Sequence, residues 1–332
     1  MGLTLKYQDN TDFPYMVSVR LLTYNHASYI RQALDGILNQ KCSFKIEVVV
    51  GDDFSTDATR QILTEYKSTE NIYLNILDRP MGGEYWLNRQ EKGRLYNFKN
   101  TLENCSGKYI ALLDGDDFWN DSSKLQKQVD FLEANREYVL CYHDTNKIDG
   151  LGNIVSTSRL KNHKQELSQK DLVCMSFIPT LTVVFRNLVD KLPANFCDTK
   201  NGDTFLFSFL GQYGKGKWLT DIDNAMYRVH EGGIWSMKSV EQRISAIMDT
   251  TNALMKNAPN EYKSDLFRVK EKQYIDALRE LFVVKAFDGY KRMFKKLFFE
   301  KEISKTRVLF VHFRQLVYFF RTSGLGYFKT SK

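Results

Sequence analysis

Several signals that are common in nucleotide-binding, secreted and membrane proteins are missing from this 332-residue sequence. No G-x-G-x-x-G follows the first apolar run and no Gly-Lys-Ser/Thr loop occurs, so neither common phosphate cradle is present. The amino terminus lacks the basic start and apolar core of a signal peptide. No stretch has the ~18 uninterrupted apolar residues that a membrane-spanning helix requires. We therefore expect neither a secretory signal nor a spanning helix.

The cysteines also lack the close pairs that mark zinc or redox sites. All five are scattered, and Cys141 lies inside the apolar run Tyr138–Tyr142. Such a placement favours buried free thiols in a reducing compartment. Together with the missing signal peptide, it predicts a cytoplasmic protein.

The net charge of +7 is concentrated near the carboxyl terminus. Residues 285–332 contain twelve Lys or Arg and three acids, a balance of +9 that leaves −2 for residues 1–284. Aromatic residues interleave with these basic ones, as Phe294 does with Lys295. The pattern suits either amphipathic helices on an anionic membrane surface or a helical subdomain whose aromatic side chains pack inward. A nucleic-acid partner is not expected, because no recognised nucleic-acid-binding signature is present.

Strand-like and helix-like patterns alternate through the first third of the chain, which predicts an α/β fold with a mostly parallel central sheet flanked by helices. The predicted strands are 17–22, 46–50, 72–77 and 109–113, and the predicted helices between them are 27–40, 56–68 and 87–104. Later segments read as further strands at 138–143, 154–158, 180–185, 217–220 and 225–228, with helices at 124–134 and 203–213. A glycine-containing loop at 230–236 is typical of a lid, and the chain is helical from Val240 onward.

Three carboxylates in four residues end the apolar run Tyr109–Leu113 as Asp114-Gly-Asp-Asp117. Like charges this close repel, and they require open water or a cation. At the carboxyl end of a central parallel strand, a hard divalent cation is the natural partner. The alternative is an acidic turn that caps the helix starting near Ser122. Polar turns also end the first two strands, so we expect these groups to converge on one crevice, where a metal would bridge them to a phosphate.

Four blocks of sequence resemble the inverting family 2 glycosyltransferases, which have an A-type nucleotide-sugar-binding fold. The resemblance covers about two thirds of the chain, in blocks 17–25, 48–57, 109–119 and 201–204 followed by 227–230. It implies a catalytic domain at 1–236 and leaves 237–332 as a basic, aromatic-rich helical region.

The resemblance implies a nucleotide site at the ends of the first two strands. Thr23, Tyr24 and Asn25 would lie at the nucleotide, with Tyr24 stacked on the base. Asp53 would accept the uracil imide hydrogen, which makes UDP the expected nucleotide, and Asp52 would shape the pocket beside it.

The carboxylate cluster takes the metal in this resemblance. Asp116 would bind Mn²⁺ or Mg²⁺ on the diphosphate, with Asp114 near the ribose and the metal and Asp117 alongside, towards the acceptor. His230 would contact the metal or diphosphate from the closing loop, although a lone loop histidine is often a surface residue.

Asp203 occupies the position of the family's general base, which removes the proton of the attacking hydroxyl. Its alternative role is a helix N-terminal residue stabilised by the helix dipole. Trp235 would close over the acceptor or pack the lid. The family's Arg-Asn stretch before the fourth strand is replaced here by residues 93–100, in which Arg94 is a candidate for the nucleotide contact; the sugar therefore stays open.

The resulting hypothesis is a metal-dependent inverting glycosyltransferase that moves a sugar from a UDP-sugar to a hydroxyl of a glycan or lipid-linked glycan. We expect it in the cytoplasm, peripheral at the inner face of the cell membrane. One alternative is a sugar-nucleotide pyrophosphorylase, which requires a glycine-rich basic loop where this chain has Thr23–Ala27. The other is an inactive glycan-binding or scaffold protein with the same fold.

Overall fold

The structure is a computed structural model that describes residues 13–161, 163, 165–233, 235, 237–299, 306, 309, 310 and 313. Strands and helices alternate through its first half, as the sequence predicts. The strands are β1 Val17–Thr23, β2 Ile46–Asp52, β3 Ile72–Ile76, β4 Tyr109–Asp114, β5 Tyr138–Tyr142, β6 Thr145–Ile148, β7 Ile154–Ser156, β8 Glu166–Leu167, β9 Val184–Arg186, β10 Lys215–Trp218 and β11 Ala225–Arg228. The helices are α1 Ile30–Leu38, α2 Thr59–Glu65, α3 Glu84–Lys92, α4 Leu95–Glu103, α5 Lys124–Ala134, α6 Gln169–Val173, α7 Gly202–Leu210, α8 Val240–Asn257, α9 Asn260–Val283 and α10 Phe287–Phe299.

The main sheet has eight strands in the order β3-β2-β1-β4-β9-β5-β10-β8. The first four are mutually parallel, β9 runs antiparallel to both of its neighbours, and β5 and β10 are again parallel to each other. A second sheet of three strands has the order β11-β6-β7. The predicted fold class, a mostly parallel sheet flanked by helices with a helical carboxyl-terminal region, is confirmed.

Both faces of the central strands are buried. Along β4, Tyr109, Ala111 and Leu113 belong to one hydrophobic cluster with residues of α1, α2 and α5. Ile110 and Leu112 point the other way, into a cluster with α4 and α7. This explains why the strand is a continuous apolar run, since alternation of polar residues would place charges in one of two cores.

Two predicted elements differ in the structure. The single helix expected at 87–104 is broken into α3 and α4 by Gly93, whose φ of +74° ends α3 in a conformation that suits glycine. The strand expected at 180–185 begins instead with a 3₁₀ turn, Thr180–Thr182, before β9. The turn matters because it brings Thr180 to the end of β4, as described below.

The carboxyl-terminal helices pack on each other and on the main domain. Met248, Tyr274, Phe282 and Tyr290 share one hydrophobic cluster across α8, α9 and α10. Leu254 of α8 belongs to the same cluster as α7. The part of the predicted basic region that follows residue 305 lies outside the described residues except at 306, 309, 310 and 313. Across the described helices, none combines the length and apolar character needed to span a bilayer.

A buried lysine lies at the start of α5. The Lys124 side chain is fully buried, donates a hydrogen bond to Gln128 Oε1 at 2.7 Å, and has its amine 4.0 Å from the ring centroid of Trp119. Burial lowers the pKa of Lys124 to about 7. His143 lies close by, also buried, and burial together with the charge of Lys124 lowers its pKa well below the usual value.

We expect Lys124→Met to remove a pH dependence of stability. Between pH 7 and pH 9 the folded protein binds fewer protons at Lys124 than the unfolded chain, whose pKa is 10.5. Stability from this group therefore rises with pH in that window, by about 2 kcal/mol, and falls as pH drops through the folded pKa. Urea unfolding at pH 7 and at pH 9 measures the effect. Relative to wild type, the free energy of unfolding of the variant should fall by about 2 kcal/mol as the pH is raised from 7 to 9. Lys127→Met, which removes a solvent-reaching amine on the same helix, is the control; an equal pH response of all three proteins would contradict the prediction.

Candidate active site

Three neighbouring parallel strands end at the same level and together form the floor of the candidate site. In the register, Thr23 of β1 faces Asp52 of β2, and Leu22 faces Asp114 of β4. Asp53 follows directly and donates its backbone N–H to Thr23 O at 2.9 Å. The polar turns that the sequence places after separate strands are therefore brought to one edge, where open α/β sheets bind ligands.

Gly115 allows the acidic turn to lie tightly against the first strand. Its N–H donates to Leu22 O at 2.8 Å. A Cβ at this position would lie 2.8 Å from Ile30 Cδ1, 2.9 Å from His26 Nδ1 and 3.0 Å from Thr23 Oγ1. The glycine between the aspartates is thus a steric requirement of the packing.

Two histidines converge on Asp116. His230 Nε2 lies 3.1 Å from Asp116 Oδ2, and His26 Nε2 lies 3.9 Å from the same oxygen. One donor atom from each of the three residues lies within 4.8 Å of the others. The Gly232 N–H donates to His230 Nδ1 at 3.2 Å, so His230 carries its proton on Nε2, which donates to Asp116. One carboxylate and two imidazoles are a donor set that fits a divalent metal ion.

The three aspartates of the cluster differ in how strongly their surroundings favour the charged form. Desolvation acts to raise the pKa of Asp116, but the hydrogen bond from His230 and the charges of His26 and His230 hold it below its usual value. Burial and the charge of Asp116 raise the pKa of Asp117 well above its usual value. Desolvation also raises the pKa of Asp114, although the charge of Arg20 opposes it. Asp116 is therefore the member best suited to act as an anionic ligand.

Asp114 is tied to a buried arginine that the sequence analysis did not single out. Arg20 Nη1 donates to Asp114 Oδ1 at 2.9 Å, and its guanidinium lies 4.5 Å from the ring centroid of Phe98. Arg20 is fully buried, and its Nε and Nη2 find no hydrogen-bond partner among the residues that the structure describes. Among the described residues, the donor atoms that converge are those of His26, Asp116 and His230, and Asp114 is not one of this group. Its contact with a metal stays a prediction.

Arg228 links the acidic turn to the strand that leads to His230. Its backbone N–H donates to Asp117 Oδ1 at 2.8 Å, and its Nε donates to Asp116 O at 2.9 Å. The guanidinium also donates to Gln32 Oε1 and lies 4.7 Å from the ring centroid of Tyr29. Asp117 is only 6% exposed and fixes the strand through this hydrogen bond, and its place towards an acceptor stays a prediction.

The predicted nucleobase pocket contains a second ion pair. Arg89 of α3 contacts both carboxylate oxygens of Asp53, at 2.8–3.0 Å, and Tyr85 donates to the same carboxylate at 3.2 Å. Asp52 is buried and accepts from the Ser55 N–H. Sequence reasoning did not identify Tyr85 or Arg89, because they come from a helix whose facing surface has no motif.

Tyr24 and Asn25 lie at the open side of this pocket. Tyr24 is 52% exposed, as a ring available for stacking would be. Asn25 adopts φ of +54°, and its Oδ1 accepts from the Thr56 N–H at 2.8 Å, which holds the first two strand ends together. Thr23 is buried below them, and its Oγ1 has no hydrogen-bond partner among the described residues.

Asp203 reaches the same edge of the sheet from α7. The antiparallel register, in which Ala111 faces Val184, brings residues 180–182 level with the end of β4. Thr180 Oγ1 donates to Asp203 Oδ2 at 2.7 Å, and the Thr204 N–H donates to Oδ1 at 2.7 Å. Asp203 lies in the first turn of α7, so the helix-dipole role and a chemical role are compatible in the same residue.

Arg94 lies within the electrostatic influence of both Asp203 and Asp114. Desolvation lowers the pKa of Arg94, and the charges of Asp203 and Asp114 oppose that shift, so both acids act on one guanidinium. The Arg94 Nη2 donates to Lys200 O at 2.6 Å.

Trp235 is 38% exposed on the loop after His230, with the Lys238 amine 5.5 Å from its ring centroid.

Comparisons with known proteins assign the chain to a family. The sequence profile described as "Glycosyl transferase family 2" matches residues 18–192. An uncharacterised protein of Mycobacterium tuberculosis is 34% identical over 229 residues, which are 68% of this chain and 62% of that relative. The chain belongs to glycosyl transferase family 2, and the prediction of this family is confirmed. The match spans less than two thirds of the length of the mycobacterial relative.

A named relative and two solved structures extend the comparison. The Escherichia coli UDP-Glc:alpha-D-GlcNAc-diphosphoundecaprenol beta-1,3-glucosyltransferase WfaP is 24% identical over 229 residues, 68% of this chain and 82% of WfaP. S. aureus TarS 1-349 in complex with UDP-GlcNAc has a TM-score of 0.56 and 19% identity, over 90% of this chain and 87% of TarS. The mannosyltransferase PcManGT of Pyrobaculum calidifontis, in complex with GDP-Man and Mn²⁺, has a TM-score of 0.57 and 16% identity. The match covers 92% of this chain and 81% of PcManGT. At these identities the two structures support the fold alone.

We expect Gly115→Ala to destabilise the protein, because the added methyl group would overlap Ile30, His26 and Thr23. Overpacking of this kind costs about 1–3 kcal/mol in the free energy of unfolding, measurable by urea denaturation. Gly150→Ala is the matched control, since its methyl group would meet only ordinary contacts at 3.7–3.8 Å. Equal stability of the two variants would contradict this account of the turn.

Proposed function

We propose that this chain transfers a sugar from a UDP-sugar to a hydroxyl of a glycan or lipid-linked glycan, with inversion and with help from Mn²⁺ or Mg²⁺. The observation that carries the proposal is the convergence of His26, Asp116 and His230 at the strand ends. A carboxylate held for a nucleobase on one side and a candidate base on the other complete a transfer site.

A divalent cation fits the residues present. Asp116 is partly exposed, the two histidines hold its pKa below the usual value against desolvation, and His230 approaches it from a glycine-containing loop. These two residues would hold the ion against the diphosphate of the donor. When bound, the cation supplies positive charge to the departing diphosphate and a template for its orientation.

UDP is the proposed nucleotide because of the chemistry around Asp53. The uracil edge presents one N–H donor between two carbonyl acceptors, so it requires one fixed acceptor with donors beside it. Asp53 is fixed by Arg89 and Tyr85, which orient its carboxylate as the acceptor proposed for the imide hydrogen. The UDP-glucose in the name of WfaP and the UDP-GlcNAc bound to TarS support the same choice.

Asp203 is the proposed general base. Hydrogen bonds from Thr180 and from the Thr204 N–H orient its carboxylate at the edge of the sheet that also carries the acidic cluster. Removal of the acceptor proton during attack on the anomeric carbon lowers the barrier. Attack opposite the departing diphosphate inverts the anomeric centre in one displacement, in which the acceptor oxygen forms the new bond as the bond to the diphosphate breaks.

A donor screen by thermal shift tests the nucleotide and the metal together. Ligand at 100 times its dissociation constant stabilises the folded state by about 2.7 kcal/mol. We expect UDP-sugars with Mn²⁺ to raise the melting temperature more than GDP-mannose, and more than UDP-sugars with chelator. If GDP-mannose stabilises the protein and UDP-sugars do not, the proposed donor is wrong and GDP-mannose, which PcManGT binds, replaces it. Formation of UTP from UDP-sugar and diphosphate would identify a pyrophosphorylase.

We expect Asp203→Asn to reduce sugar transfer by about 100-fold or more, because an amide cannot accept the acceptor proton. Its donor affinity, measured by calorimetry, should stay near that of wild type, since Asp203 does not contact the donor in this proposal. Asp198→Asn, at an exposed position five residues earlier, is the matched control and should transfer normally. Unchanged turnover in Asp203→Asn would remove this residue from its role.

The lipid-linked acceptor and an anionic membrane surface are proposed together. Support comes from the diphosphoundecaprenol in the name of WfaP and from the exposed lysines of α10 beside Phe299, which is 70% exposed. We place the protein at the inner face of the cell membrane on this basis.

We expect the double change Lys291→Gln and Lys295→Gln to weaken binding to anionic liposomes by about 30-fold, at about 1 kcal/mol for each lysine. Flotation with phosphatidylserine vesicles measures it. Lys41→Gln with Lys67→Gln removes two exposed lysines from the main domain and serves as the charge-matched control. If both double variants float like wild type, α10 does not face the membrane.

A further inference from the structure

We propose that His26 is a third protein ligand of the cation, which makes the site a two-imidazole, one-carboxylate centre that prefers first-row transition metals to Mg²⁺ and is able to bind them before any nucleotide arrives. The inference deepens the proposed function and rests on it for its biological meaning. Its physical claim concerns only the cation and three side chains.

The first argument is the position of the His26 imidazole. Its Nε2 lies 3.9 Å from Asp116 Oδ2, and a donor atom of His230 lies within 4.8 Å of both. The His26 side chain is 15% exposed, so it is neither in the core nor free at the surface. These separations group three donor atoms around one place, as the ligands of a single cation are grouped.

The second argument is that the backbone fixes His26. Its N–H donates to Thr59 Oγ1 at 2.8 Å. Its carbonyl accepts from Tyr29 and Ile30 at the start of α1. Gly115 packs directly against its Nδ1. His230, by contrast, lies in a loop that contains two glycines. His26 and Asp116 are therefore held by the ends of the strands, and His230 completes the group of three from a glycine-containing loop, 3.1 Å from Asp116 Oδ2.

The third argument is ligand chemistry. Mg²⁺ prefers oxygen ligands, keeps several waters, and is usually bound by one or two carboxylates plus substrate phosphates. Imidazole nitrogens favour transition metals over Mg²⁺, and two imidazoles with one carboxylate form a facial triad with open positions for further ligands. A single carboxylate requires the nucleotide to complete the metal site, whereas three protein ligands do not. Metal selectivity and nucleotide-independent binding therefore follow from the same residue.

Another role for His26 predicts different behaviour. If the imidazole only balances the charge of Asp116, removing it should leave the preference between Mn²⁺ and Mg²⁺ unchanged. The ring centroids of His26 and His230 are 6.2 Å apart and the ring planes are inclined at 79°. This edge contact would suffice for a purely structural role of His26. The experiment must therefore measure selectivity as well as affinity.

The test is Mn²⁺ binding to the full-length chain without nucleotide, measured by electron paramagnetic resonance with Mg²⁺ as competitor. Wild type should bind Mn²⁺ and retain it against a large excess of Mg²⁺. His26→Ala should lose about 10-fold or more in Mn²⁺ affinity, at least the loss that removal of an outer-shell partner produces. Asp116→Ala should bind far more weakly still. His163→Ala, a histidine outside this cluster, is the matched control and should bind as wild type.

Two further variants keep the test decisive if His26→Ala is unstable. His26→Gln retains similar bulk but offers an amide oxygen, and His26→Asp offers a second carboxylate. Both should shift the ratio of Mn²⁺ to Mg²⁺ affinity towards Mg²⁺ by about 10-fold or more. The visible spectrum of bound Co²⁺ should also change, because it reports the number of nitrogen ligands. Wild-type protein that binds no Mn²⁺ without nucleotide, or variants with an unchanged ratio and spectrum, would overturn the inference.

The outcome is separable from that of the proposed function. A chain that transfers sugar from UDP-sugars yet binds Mn²⁺ only with nucleotide present retains the function and loses the inference. A chain that binds Mn²⁺ through His26 but neither binds nor uses any nucleotide-sugar retains the three-ligand site and loses the function.

Discussion

Electrostatic repulsion among three carboxylates in four residues is the constraint on which the candidate site depends. The fold meets it by giving each carboxylate a different partner. Asp114 pairs with the buried Arg20, Asp117 accepts from the Arg228 backbone, and Asp116 faces two histidines. Because Asp114 pairs with Arg20 and the pKa of Asp117 is raised well above its usual value, Asp116 is the carboxylate best suited to bind a cation. In the acidic turn, Asp116 is thus the candidate metal ligand, and Asp114 and Asp117 hold the turn in place.

The parallel strands supply the precision that this arrangement requires. β1, β2 and β4 end level with each other, and both of their faces are buried, so the strand ends cannot shift without disturbing two hydrophobic clusters. The turns beyond them are then joined by side chains, as Asn25 joins the first turn to Thr56. Rigid strands with hydrogen-bonded turns are what hold a metal or nucleotide site in a single geometry.

The sequence was sufficient for the fold class and for the convergence of the strand ends, because both follow from local patterns: apolar runs of strand length, and polar residues directly after them. It was insufficient where the information is carried by contacts distant in sequence. Arg89 reaches Asp53 across 36 residues, and His26 meets Asp116 only after β1 and β4 pair. The role of Arg20 was also not predicted. A charged residue inside an apolar strand conflicts with the local pattern, and only its contact with Asp114 explains it. The single helix expected over residues 87–104 was wrong because one glycine at a positive φ outweighs the helical spacing on either side.

The carboxyl-terminal helices have a structural link to the proposed chemistry that the boundary at residue 236 conceals. Thr250 of α8 accepts a hydrogen bond from the Asn201 N–H at 3.1 Å and contacts the Thr199 hydroxyl at 3.0 Å. These two residues immediately precede α7, the helix that carries Asp203. Leu254, one turn further along α8, lies in the same hydrophobic cluster as α7. Because α8 holds the start of the helix that presents the proposed base, the boundary separates two regions of sequence but not two packing units. Through these contacts the helical region bears directly on the orientation of α7 against the end of β4.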